Sequence, residues 1–439
     1  MKKIELEIKA LSPLAISRQK PGSSINETMD YIPGSVIRGA VAARILQESN
    51  NQSTDLSENG GDFQRLFLSE NPAIFQNAYP AQNVEGKKGM RIQKDVKLLP
   101  TTAMSSKTKP GFKSKTKTET KTKNKTQTKT EIKPQPPDNN GVFDTLIDRF
   151  CAENYGCLYD PNCPVDGGMV EPFTGFYSYN KGNQTYYKHS TNKRLLTRAG
   201  INRRRATSEE EVLYSIEVIK ESQEKREKPV IFCSSIFVED AELANSLQKF
   251  IQGRNNLFRL GNSKSRGLGK VEITAKSPVD VKPNIKERIN TFNAGIKKRW
   301  KKWKIFNLQQ QELPKNRTYF TLDLQSDAIL KENWQRTTVI SPEMLKELSE
   351  VEDSSLQLHV AYSSYDYLSG WNAAWGLMKD IELITNKGGV YLFSTTEKET
   401  WIKALEKLEI MGVGEGTSEG FGQIIICDEF HLVFREEAV

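Results

Sequence analysis

The chain has 439 residues, 37% of them hydrophobic and 27% charged, which is a globular balance too long for one ordinary core, so two domains are expected. No apolar run approaches the ~18 residues of a membrane span, and the opening MKKIELEIKA has no apolar secretory core, so the expectation is a cytoplasmic protein without a membrane. The net charge of +8 does not by itself indicate nucleic acid: residues Ser105 to Lys133 hold ten lysines and two glutamates, and the other 410 residues carry 53 basic and 53 acidic side chains.

In chain order, Ile4, Leu6 and Ile8 alternate with charged residues and predict a half-buried strand. Tyr31-Ile32-Pro33-Gly34 turns into a helix reaching about Gln47, with Ile37, Val41 and Ile45 on one face. A Lys/Thr/Pro-rich stretch, 104–140, has almost nothing apolar to bury and is expected to be a disordered insertion. Cys151, Cys157 and Cys163 are six apart, with His189 further on, inside an expected insertion at 151–190. Zinc needs four N or S ligands in a tetrahedron, and these four residues are weighed as a structural zinc site against ordinary partly buried thiols; no CxxC knuckle is present. Strands over 212–219 and 229–238 and a helix over 241–251 lead to the loop GNSKSRGLG, Gly261 to Gly269. Prolines 278 and 283 mark a linker, giving an N-terminal unit of 1–277 and a C-terminal unit of 278–439. A helix carrying Ile285, Ile289, Phe292, Ile296, Trp300 and Trp303 follows, with a basic opposite face around Lys297 to Lys302 that is read either as an RNA or partner contact or as a solvated face.

The strongest signal is a repeat. Ser265-Arg266-Gly267-Leu268-Gly269-Lys270-Val271-Glu272-Ile273 aligns with Ser418-Glu419-Gly420-Phe421-Gly422-Gln423-Ile424-Ile425-Ile426, each after an amphipathic helix and before a strand. Two copies of one domain type follow. In the first loop, glycines bring backbone amides close to an anion while Lys264, Arg266 and Lys270 add cations, so phosphate binding is expected there. The second loop has Glu415, Glu419 and Gln423 instead, and a structural or protein-contacting role is expected.

Two βαββαβ, ferredoxin-like units, each with a glycine-rich loop near its end, resemble the RAMP superfamily of CRISPR-associated proteins. The segment YIPGSVIRGAVAARIL is similar to that family's first helix, which implies Ser35 and Arg38 on the RNA side. The stretch from Thr197 through Arg198, Arg203, Arg204 and Arg205 to Tyr214 resembles an RNA-facing hairpin, and Tyr31 joins Arg38, Arg203 and Arg204 as a candidate for holding splayed bases. The layout most resembles the type III-D effector subunit of the "Cas five" group. That likeness implies a non-catalytic cap on the 5′ tag of the CRISPR RNA, with target RNA nearby, beside the large polymerase-like subunit and backbone subunits, in antiviral defence. The implied set of RNA contacts is Ser35, Arg38, Arg198, Arg203, Arg204, Arg205, Gly261, Lys264, Ser265, Arg266, Gly267, Gly269 and Lys270. Two alternatives remain from the same resemblance: a backbone subunit cutting target RNA through Asp30 and a metal ion, and an endoribonuclease that matures the CRISPR RNA.

Overall fold

The computed structural model describes residues 1–18, 27–48, 61–81, 83–86, 89–92, 95–113, 139–162, 168–202, 207–223, 228–306, 312–314, 316–372, 377–378 and 380–439. The fold is mixed α and β with antiparallel sheets, and among the described residues no helix is long and apolar enough to cross a membrane.

The first half contains β1 (Lys2–Ala10), α1 (Gly34–Glu48), the short strands β2 (Ile74–Phe75) and β3 (Tyr79–Ala81), and α2 (Leu146–Asn154). It continues with a long hairpin of β4 (Lys193–Asn202) and β5 (Thr207–Ile219), then β6 (Ile231–Val238), α3 (Ala241–Gly253) and β7 (Val271–Ala275). Its main sheet runs β7–β1–β6, with β2 and β3 both on the outer edge of β6. Ile4, Leu6, Ile8 and Ala10 are buried at every second position of β1, as the alternation requires. They pack with Ile37 and Val41 of α1 and Leu243, Leu247 and Ile251 of α3. Asp240 caps α3 by accepting from the amides of Glu242 and Leu243.

The second half contains α4 (Ile285–Trp303), β8 (Thr318–Leu324), α5 (Pro342–Ser349), β9 (Gln357–Tyr362), β10 (Val390–Thr395), α6 (Lys398–Met411) and β11 (Ile424–Ile426). Its sheet order is β9–β10–β8–β11. Numbering the four sheet positions of each half by sequence, both sheets read fourth, first, third, second.

The segment between the first sheet's edge and the hairpin departs from expectation. Residues 104–113 and 139–140, expected within a disordered insertion, are ordered: strand Ala103–Ser106 pairs with Val142–Asp144, and Phe112 is buried beside Phe173 and Tyr186. Lysine-rich composition concealed the apolar anchors at the ends of that stretch; residues 114–138 lie outside the described residues. Likewise α2, assigned to the first unit by its place in the chain, is built into the second core. Leu146, Ile147, Phe150 and Cys151 pack with Ile289, Phe292, Ile296 and Trp300. Arg299, expected on a basic outer face, is buried and grips Asp148 of α2 through two bonds of 2.7 Å. A two-pronged arginine–carboxylate pair of this kind ties α2 to α4 within the second core.

Candidate nucleic-acid interface

The first glycine loop is a closed frame. Leu260 donates to Gly269 O (2.8 Å), Asn262 to Ala15 O (2.8 Å), Arg266 to Ser263 O (2.9 Å) and Gly269 to Pro13 O (2.9 Å). Gly261 has φ +85°, and a Cβ there would stand 2.4 Å from Ala15 O, so a side chain is excluded by space as well as by φ. Gly267 has φ +84° with nothing within 4 Å of a would-be Cβ: its outer side is open. Four loop amides are thus consumed by the frame and are not available to an anion, which the sequence did not suggest.

Those side chains converge. The base of the β4–β5 hairpin is fastened to the loop by a small apolar cluster of Ala15, Val218 and Leu268, with Leu196 and Ile216 against it. Arg198 of β4 donates to Arg266 O (3.1 Å), and Arg266 donates to the Tyr214 hydroxyl while its guanidinium lies 5.5 Å from the Tyr214 ring centre. Arg259 reaches Lys264 O (3.5 Å). Lys264, Ser265, Arg266 and Lys270 are all exposed. Among the described residues, none of Arg198, Arg259, Lys264, Arg266 and Lys270 has a carboxylate within ion-pair distance, whereas Arg44, Arg65, Lys193, Arg194 and Arg254 elsewhere in this half all do. Five cations without described carboxylate partners and one tyrosine ring around an open glycine make a surface suited to a sugar–phosphate strand with a base beside it. Arg259 was missed in the sequence; its position in FRLGN, two residues before the first glycine, was the available signal. Arg203, Arg204 and Arg205 lie outside the described residues.

The other sequence candidates fall elsewhere. Arg38 turns inward: it donates to Phe67 O (2.7 Å), lies over the Phe67 ring and stands 3.7 Å from Glu419. Ser35 lines a cleft of about 790 Å³ between the halves, which Gly261 and Asn262 also border. Tyr31 is buried, edge-on to Tyr79 and Phe176, so it is a core residue and not a platform for bases. Asp30 is half-buried beside it. Cys151, Cys157 and His189 do not come together. Cys151 sits in the second core, its thiol pushed up to about 12 by burial, and His189 is buried on another sheet against Ser178 (2.7 Å). Among the described residues no group of three His, Cys, Asp or Glu side chains forms a metal-ligand set, and Cys163 lies outside them. Six-residue spacing brought the cysteines near in sequence, but the helix turned Cys151 into the apolar interior.

The second glycine loop docks on the first half. Gly420 packs so closely that a Cβ would stand 2.4 Å from Asn77 Oδ1 and 3.1 Å from Phe75 O; Gly34, at the start of α1, would place one 1.9 Å from Phe75 O. Asn77 caps α1 by accepting from the Gly34 amide (2.8 Å). Glu415 is held by Arg336 and Lys331, and the Arg336 hydrogen bond above all keeps its carboxyl below the usual range. The halves also meet at His431, which is fully buried with Nε2 2.8 Å from Asp323 and Nδ1 3.2 Å from Asp144. Burial alone would lower the imidazole pKa; the two carboxylates overcome it and hold the pKa well above the ordinary value.

No curated protein matches the sequence. Among solved structures, one chain of the cryo-EM structure of the type III-B Cmr-beta complex bound to cognate target RNA and AMPPnP is 11% identical, with 91% of this chain and 88% of that one covered and a TM-score of 0.34. A chain of the same complex bound to cognate target RNA is 12% identical over the same shares, with a TM-score of 0.36. The family model described as the RAMP superfamily matches residues 7–272, from β1 through the first glycine loop into β7, and on that match the chain belongs to the RAMP superfamily.

Proposed function

We propose that this chain is a non-catalytic RNA-binding subunit of a type III CRISPR effector ribonucleoprotein. It holds the repeat-derived 5′ tag of the CRISPR RNA and caps the assembly beside a large subunit and backbone subunits. The matching order of the two sheets, with two helices crossing each, supports reading the chain as tandem ferredoxin-like units. The observation that carries the RNA reading is the group of five cations without described carboxylate partners around the first glycine loop, fixed in place by the hairpin. Exposed cations held on a rigid frame lose little conformational freedom when they meet an anion, and a phosphate strand brings one every nucleotide.

Lys264→Ala with Arg266→Ala tests it. A single-stranded RNA carrying the repeat-derived 5′ sequence is titrated over a range of salt concentrations. Losing two phosphate contacts lowers affinity about tenfold at moderate salt and makes the log–log salt slope shallower by about 1.4, at roughly 0.7 per contact on single strands. An unchanged affinity and slope would overturn the reading.

A further inference from the structure

The outer face of α4 carries charge that the fold does not use. From Arg288 to Gln311 the chain has seven basic residues and no Asp or Glu. Three of the seven are neutralised: Arg288 by Glu409 (2.7 Å), Arg299 by Asp148 (2.6 Å) and Glu436 (2.9 Å), and Lys302 by Glu436 (3.8 Å). Lys297, Lys298, Lys301 and Lys304 are exposed, and among the described residues none of them has a carboxylate within ion-pair distance. Lys297, Lys301 and Lys304 stand at i, i+4 and i+7 on one stripe, roughly 10 Å long, and Lys298, Lys302 and Ile305 form the stripe beside it. Like charges at such spacings repel. The helix dipole favours cations in the last turn, where Lys301 and Lys302 lie, but its influence fades before Lys297 and Lys298.

Apolar side chains stand at the end of the same face. Ile305 is 85% exposed, Phe306 59% and Leu158 99%. Phe306 and Tyr159 both meet the Trp303 ring, at centre distances of 5.5 and 6.0 Å, which brings Leu158, next to Tyr159, to the same end of α4 as Ile305 and Phe306. Exposed apolar side chains grouped in this way, beside charge of one sign, mark an interaction surface. Its chemistry differs from that of the first glycine loop. There, arginines fork onto phosphate and a tyrosine ring offers a base its face. Here every unpaired cation is a lysine, a point charge without that fork, and Ile305 and Leu158 have no π-face for a base. Aliphatic anchors bordered by cations fit a polypeptide that brings apolar side chains together with carboxylates.

We propose that this face docks a polypeptide segment of a neighbouring subunit that combines apolar residues with Asp or Glu. Ile305, Phe306 and Leu158 receive the apolar side chains, and the four unpaired lysines meet the carboxylates. The assignment rests on the chain working inside a larger assembly, and it is independent of the RNA contacts at the first loop. The probe is a short, fluorescently labelled amphipathic peptide of leucine and glutamate, titrated against the full chain at several salt concentrations and followed by anisotropy. The peptide binds. Ile305→Ser weakens it about tenfold. Lys298→Gln with Lys301→Gln weakens it about tenfold at low salt and flattens its salt dependence. Both variants alter only exposed side chains, and melting curves that match the parent's show them folded. Lys264→Ala with Arg266→Ala leaves peptide binding unchanged. The proposal is overturned if the peptide does not bind, if Ile305→Ser or the lysine pair leaves its affinity unchanged, or if a leucine–lysine counterpart binds equally. It is also overturned if an RNA oligonucleotide displaces the peptide and loses affinity on Lys298→Gln with Lys301→Gln, which would make α4 an RNA face. Failure of the peptide with normal RNA binding at the first loop would reject this surface alone. Unchanged RNA affinity on Lys264→Ala with Arg266→Ala, with normal peptide binding, would reject the RNA reading alone.

Discussion

The face of the first glycine loop and the seam between the halves treat charge in opposite ways. Around Gly267 five cations stand at the surface without described carboxylate partners. At the seam, Arg299 is matched by Asp148 and Glu436, His431 by Asp144 and Asp323, and Arg38 by Glu419 and the Phe67 carbonyl. Buried charge must be neutralised within the chain because desolvation is expensive, while exposed charge can await a ligand because water screens it meanwhile. One glycine-loop pattern therefore serves two ends: in the first copy it presents cations outward, and in the second it brings backbone close enough to dock.

Breaking the seam gives the largest expected effect. His431→Gln leaves two buried aspartates without their shared cation and is expected to destabilise the protein by about 3–5 kcal/mol, read by denaturant unfolding. The pH dependence has a definite sign. A raised folded pKa means that the His431 contribution is fully present below the unfolded value of about 6.5 and is lost as pH rises through the folded value. His189 works the other way: burial depresses it to about 4, so its contribution is present above about 6.5 and declines as pH falls toward 4. Melting temperature against pH should show both limbs, and His431→Gln should flatten the alkaline one alone.

Gly34→Ala comes next. The added methyl meets the Phe75 carbonyl at 1.9 Å, and an overpacking cost of about 1–3 kcal/mol is expected in thermal melts. Gly267→Ala sharpens the contrast, since space is open there and only the positive φ is strained, for about 1 kcal/mol. Equal losses at the two glycines would contradict the division of labour between the loops.

Arg38→Ala gives the smallest effect. It removes one hydrogen bond, a ring contact and a long ion pair, so stability falls by about 1 kcal/mol while RNA affinity and its salt slope stay unchanged. A clear loss of RNA affinity at preserved stability would move Arg38 back to the binding face, where the resemblance to the family's first helix had placed it.

Much of this molecule was legible in its residues. The alternation in β1, the apolar stripe of α4 and the repeated S-x-G-[LF]-G motif are local patterns with fixed periods, and they correctly marked elements and a duplicated loop. The cations of the first loop were visible too, since sequence neighbours in a tight turn are spatial neighbours. Less legible were the partners those residues meet. Nothing local distinguishes Arg266, which holds a tyrosine hydroxyl and stays at the surface, from Arg299, which is buried on an aspartate 151 residues away.

Local periodicity and composition determined where most of the main helices and sheet strands and the two glycine turns would form, and which turn would carry positive charge, but not the strand Ala103–Ser106. The tertiary structure alone decided that α2 belongs to the second core, that the cysteines and His189 part company, and that the acidic turn closes on α1. Those outcomes depend on long-range burial and on matching each desolvated charge with an opposite one, and neither is encoded in the spacing of neighbouring residues.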